Sequence, residues 1–117
     1  MLFNKTSYTT GLYSEFLARM YLRMHGYSIL KSRYITGKKT GRAEIDIIAK
    51  RKNTIVFVEV KARKNLSTAW DAITPGQSVR LRRAAETFLM NKHWMGDARF
   101  DVIAVCGHKI YWAKNAI

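Results

Sequence analysis

Acids are scarce in this chain: eight Asp and Glu stand against 21 Lys and Arg, a formal net charge of +13. An excess of that size on a compact domain marks a polyanionic partner. Nucleic acid is favoured over a membrane surface, because no long basic helix carries a strongly apolar opposite face. Cysteine is nearly absent. Cys106 alone occurs, within an apolar run, which excludes a disulfide framework and suits a core position in a reducing compartment. Long hydrophobic runs are missing as well. No stretch of about 18 uninterrupted apolar residues is present, and the first ten residues lack an apolar signal core, so no membrane span is expected and the chain reads as cytoplasmic. Proline occurs once, and no linker, internal repeat or low-complexity segment divides the 117 residues, which are expected to form one domain over 1–117. Several chemistries lack their residues too. His25, His93, His108 and Cys106 show no zinc spacing, no glycine-rich phosphate loop precedes a helix, and no serine sits in a nucleophile elbow.

What the chain does have is a strand-like run from Ile55 to Arg63. Side chains alternate across a strand, so Ile55, Phe57, Glu59 and Lys61 share one face while Val56, Val58, Val60 and Ala62 share the other. A strand apolar on both faces belongs inside a sheet, where a charge is costly unless paired or bound to a metal. One reading of Glu59 and Lys61 is an ion pair near solvent, contributing about 0–1 kcal/mol. The other is a hydrolytic metal site, which needs further carboxylates nearby.

The flanking sequence supplies them. A helix is expected from about Thr10 to His25, with Leu12, Phe16, Met20 and Met24 marking an apolar face at four-residue spacing and Gly26 as a left-handed cap. Glu15 falls on the adjoining stripe, in line with Ala18 and Leu22. Residues 27–35 read as an edge strand, interrupted by Lys31 and Arg33. A basic glycine-flanked loop over 36–42 reads equally as a solvated turn or a phosphate contact. A second strand over 43–50 turns at 51–53 into the central one as an antiparallel hairpin, which places Asp46 opposite Glu59. Residues 64–73 read as irregular or shortly helical, with Trp70 as an apolar anchor. Thr74 and Pro75 then start a helix to about Asn91 that buries Leu81, Ala84, Ala85, Phe88 and Leu89. Arg80, Arg82 and Arg83 crowd its outer side. Two further strands, 99–106 and 110–113, close the chain.

The acids therefore fall in core-like elements while the loops are basic. Glu15, Asp46, Glu59 and Lys61 form a constellation suited to metal-assisted phosphodiester hydrolysis. Asp46 followed thirteen residues later by Glu59-Val60-Lys61 resembles the PD-(D/E)XK nuclease signature, and Glu15 resembles the extra acid of archaeal Holliday-junction resolvases. More closely, the chain resembles the YraN-like family of uncharacterised, endonuclease-like bacterial proteins. The matching pieces are Glu15–Ala18 with Leu22 and Gly26, Glu44–Ile48, Val56–Arg63 and Arg99–Ile103. Two positions depart from the family pattern: Ala43 replaces the usual glycine, and Gly76-Gln77-Ser78 lacks the usual lysine.

The resemblance implies an α/β, restriction-endonuclease-like mixed sheet of about five strands with flanking helices. It implies a DNA endonuclease dependent on Mg²⁺ or Mn²⁺, with branched DNA as a candidate substrate and a homodimer by analogy. Asp46, Glu59 and the Val60 carbonyl would hold the metal, while Glu15, Asp46, Glu59 and Lys61 would be the catalytic residues. Candidate nucleic-acid contacts are Lys38, Lys39, Arg42, Arg63, Gln77, Arg80 and Arg83. The alternative is a nucleic-acid-binding protein that keeps the scaffold without cutting.

Overall fold

A computed structural model describes residues 2–37, 39 and 41–117, with side chains from Thr10 onward in the first helix. The order is α1 (Leu2–Met24), β1 (Ser28–Thr36), β2 (Ala43–Arg51), β3 (Thr54–Ala62), α2 (Leu66–Trp70), α3 (Pro75–Lys92), β4 (Asp97–Cys106) and β5 (Lys109–Ala113). The five strands lie in sequence order across one mixed sheet. Only β3 and β4 run parallel, joined by the crossover through α2 and α3; the other pairs are antiparallel. This is the α/β architecture with flanking helices expected from the sequence.

Each helix covers one face. Against α1 pack Ile47, Ala49, Val56, Val58, Ile103 and Val105, together with Ala18, Leu22 and Tyr27. Against α3 pack Ala43, Ile45, Ile48, Ile55 and Phe57, with Leu81, Ala84 and Ala85 from the helix. The alternation in β3 is as read from the sequence. Strict alternation fails in β2, where Ile45 and Ile48 both reach the α3 layer while Ile47 reaches α1. The strand changes phase around Asp46. In β1 the matching position is Arg33, which falls between the pairs Ser32–Ile47 and Tyr34–Ile45 and carries a left-handed backbone at φ 54°.

Two expectations about α1 are corrected. It begins at Leu2 rather than near Thr10, consistent with the absence of proline and glycine before Gly11. Its packing face is the stripe of Ser14, Ala18 and Leu22, whereas Leu12, Phe16, Met20 and Met24 are exposed. Small side chains at 14 and 18 let the helix axis approach the sheet closely, which the bulky stripe would prevent. Gly26 ends the helix at φ 86°, with the Tyr27 amide donating back to the Leu22 carbonyl, as its sequence position implied.

On the α1 side, Asp101 of β4 anchors the far end of the sheet. It is fully buried and accepts from Arg99 Nε and Nη2 at 2.9 Å each, from Trp112 Nε1 at 2.8 Å and from the Asn115 amide at 2.8 Å. Arg99 Nη2 also donates to the Tyr27 hydroxyl, tying β4, β5 and the residue leading into β1 into one network.

Candidate active site

Strands β2 and β3 pair from Arg51–Thr54 up to Ile47–Val58 and then part. The next facing positions would be Asp46 and Glu59, so both acids stand at the mouth of the gap. Parting frees main-chain groups on β3, and Asp46 Oδ2 takes up one of them, accepting from the Val60 amide at 2.8 Å. In an antiparallel ladder a residue presents its N–H and C=O to the same neighbour. The Val60 carbonyl therefore lies on the same side as this amide, toward Asp46. Glu59 is 5% exposed and on the α3 side, where Gln77 Nε2 donates to its Oε2.

Electrostatics set this gap apart. Burial, together with the hydrogen-bonded and repelling carboxylate of Asp46, pushes the Glu59 carboxyl up to about 9; Lys61 pulls the other way and Glu44 adds a little. Lys61 forms no ion pair among the described residues, so the ordinary Glu59–Lys61 bridge is not made. Glu15 reaches the same region from α1. Burial raises its carboxyl above the ordinary value, against the pull of Arg33, and Asp46 contributes repulsion. Arg33 holds Glu15 through both oxygens, at 3.0 and 3.1 Å.

The donors fit a hard divalent cation. Two carboxylates meet there beside the Val60 main chain, and Mg²⁺ commonly takes one or two carboxylates and fills its remaining positions with water and substrate oxygens. Among the described residues no cluster of three His, Cys, Asp or Glu suited to a metal occurs. Glu15 lies outside the Asp46–Glu59 pair, with both its oxygens bonded to Arg33.

The basic residues expected to contact nucleic acid divide into groups. Arg42, Gln77 and Arg80 line one cleft of about 220 Å³ with Ala43, Glu44 and Leu81. Arg83 reaches over Gly41, whose φ of 90° and missing side chain leave room for the guanidinium. Gln77 has a second role that the sequence did not reveal, its bond to Glu59. Arg63 is exposed past the end of β3 and donates to the Ala62 carbonyl. Lys39 is exposed on the loop, and Lys38 lies outside the described residues. Arg82, between Arg80 and Arg83 in the sequence but outside that set, donates to the Ile117 carbonyl and lies over the Phe100 ring. Arg33 was missed as a site residue, its only signal being a cation in the strand position facing Asp46.

Fold and geometry thus define an α/β protein whose central strands part around two inward carboxylates, flanked by a lysine on one strand and arginines on a helix. Residues 14–105 match the model of the uncharacterised protein family UPF0102, and the chain belongs to that family, in agreement with the YraN-like resemblance. Among its relatives, a UPF0102 protein of Rhodopseudomonas palustris is 43% identical over 101 residues, covering 85% of this chain and 75% of its own. One from Paramagnetospirillum magneticum is 38% identical over 97 residues, covering 81% and 75%. A third, from Bradyrhizobium diazoefficiens, is 42% identical over 101 residues, covering 85% and 73%. No helix among the described residues is long and apolar enough to cross a membrane.

Proposed function

We propose that this protein is a DNA endonuclease dependent on Mg²⁺ or Mn²⁺. The observation that carries the reading is the pairing of Asp46 and Glu59 at the strand gap, where burial together with the neighbouring Asp46 carboxylate pushes the Glu59 carboxyl up to about 9 and no cation among the described residues is bonded to either. Structural acids are ordinarily neutralised by a partner, and carboxylates left to repel one another mark sites that await a charge from outside. A basic surface beside the gap supplies the other half of the argument, since it matches a phosphate backbone.

Asp46, Glu59 and the Val60 carbonyl would hold the metal. When bound, the ion supplies Lewis-acid activation of water and neutralises charge on the attacked phosphate. Lys61 would orient the attacking water or stabilise negative charge developing on the phosphate oxygens. Glu15 would act through water, its carboxylate fixed by Arg33. Gln77 would hold the Glu59 carboxylate in place as the ion binds. The resemblance to Holliday-junction resolvases puts branched DNA first among substrates and a homodimer first among assemblies.

The test is cleavage of linear, flapped and four-way DNA with Mg²⁺ or Mn²⁺, beside Glu59→Ala and Lys61→Ala. The reading requires metal-dependent products that both substitutions abolish. Binding of all three DNAs with no cleavage of any would leave a non-catalytic nucleic-acid-binding protein.

A further inference from the structure

We propose that the cleft between the loop before β2 and the first turns of α3 seats an internal phosphodiester of the strand, next to the one being attacked, and disfavours a terminal phosphate. This rests on the nuclease reading and adds which phosphates the site accepts.

Position comes first. Gln77 lines the cleft and also donates to Glu59, so the cleft opens within one side chain of the carboxylate pair. Its volume of about 220 Å³ exceeds what a phosphate group needs and leaves room for part of the adjoining sugar. Arg42 and Arg80 both line it, and neither guanidinium has a hydrogen-bond or ion-pair partner among the described residues. Gly76 leaves space against the Arg80 guanidinium, 3.5 Å from where a side chain would begin. Guanidinium forks match phosphate oxygens in geometry as well as charge.

Charge decides the rest. Glu44 lines the same cleft. Two guanidinium groups against one carboxylate leave a single positive charge, which suits the single negative charge of an internal diester. A terminal monoester carries about −1.5 to −2 at neutral pH and would set its extra charge against Glu44. A seat built for chain ends would gain from an apolar or amide residue at this position. Glu44 thus filters for continuous strands, as an enzyme cutting within a strand requires. Arg83, over Gly41, lies outside this lining and steers the strand toward it.

The test reads binding, not cleavage, in metal-free buffer. A short DNA is made with one internal phosphate at a time replaced by neutral methylphosphonate. Affinity is measured by fluorescence anisotropy for the wild type, Arg42→Ala/Arg80→Ala and Glu44→Gln. At one position the methylphosphonate should weaken the wild type about tenfold and leave the double variant unaffected. Glu44→Gln should raise the preference for a 5′-phosphorylated over a 5′-hydroxyl strand several-fold, with inorganic phosphate competing better than against the wild type. Additive effects at every position would overturn the seat, and an unchanged end preference in Glu44→Gln would overturn the filter. Inorganic phosphate competing with the wild type as well as an internal diester does would mark a general anion site and overturn the proposal. A wild type that binds DNA but never cuts it would sink the nuclease reading while these binding results still decide the seat.

Discussion

Asp101 and Glu59 lie one register step apart on adjacent parallel strands, since Val58 pairs with Asp101 and Glu59 with Val102. Both are withdrawn from water, yet their surroundings are opposite in kind. Asp101 is held by a bidentate arginine, an indole N–H and a main-chain amide. Glu59 receives one neutral amide and faces another carboxylate. The first arrangement completes a framework. The second is met by no cation among the described residues, so its carboxyl keeps a proton instead, and the two acids should therefore respond oppositely to the same perturbations.

The largest expected effect is at Asp101. Replacing it with Ala strands Arg99, the Trp112 N–H and the Asn115 amide, and should cost about 3–5 kcal/mol in urea denaturation. Glu59→Gln, by contrast, should leave the metal-free protein unchanged or more stable. Equal losses from the two would erase the distinction. Next comes pH. The folded Glu59 keeps its proton up to about 9 while the unfolded chain releases it near 4.5. Glu59 therefore contributes stability that is fully present below 4.5 and lost as pH rises toward 9, a fall on the order of a few kcal/mol at about 1.4 kcal/mol per pH unit. Melting of the metal-free protein across this window should show the fall, and Glu59→Gln should flatten it. A slope unchanged by that substitution would assign the effect elsewhere.

Metal ions should sharpen the contrast further. Millimolar Mn²⁺ or Mg²⁺ should raise the melting temperature, by about 2.7 kcal/mol of stabilisation if the ion is at a hundred times its Kd. Glu59→Gln should abolish that response, and Lys61→Ala should keep or strengthen it because a nearby positive charge is gone. A Mn²⁺ response that survives Glu59→Gln would place the ion elsewhere. Smallest of all is the Glu15–Arg33 pair, whose arginine is 40% exposed. Arg33→Ala should cost under about 1 kcal/mol, and less in high salt. A larger loss would mean that Arg33 serves the strand's left-handed backbone more than Glu15.

The sequence disclosed the sheet well because β3 is apolar on both faces and the 51–53 turn counts Asp46 directly onto Glu59. It disclosed the helices less well. In α1 the bulky residues are periodic enough to pass for a packing face, whereas the buried stripe is the inconspicuous Ser14 and Ala18, chosen for close approach. The phase change in β2 was hidden because Ile45, Ile47 and Ile48 are equally apolar wherever they point. Asp101 stood in a recognised motif without a role, although Arg99 two positions before it on the same strand face was a usable signal. Gln77 could not be assigned to Glu59 without knowing that α3 crosses that side of the sheet.

The bond between Asp46 and the Val60 amide has a consequence for descent. Where β2 and β3 part, that carboxylate stands in for a missing strand neighbour, so it belongs to the backbone's own hydrogen bonding as well as to the gap. Glu59 and Lys61 carry no such obligation. A lineage released from selection for cutting could drift at 59 and 61 with little harm to folding, but would still be held at 46 by the unmet main-chain donor beneath it. Among such descendants an aspartate at 46 would testify to the architecture, and only the retained pair at 59 and 61 would testify to the chemistry.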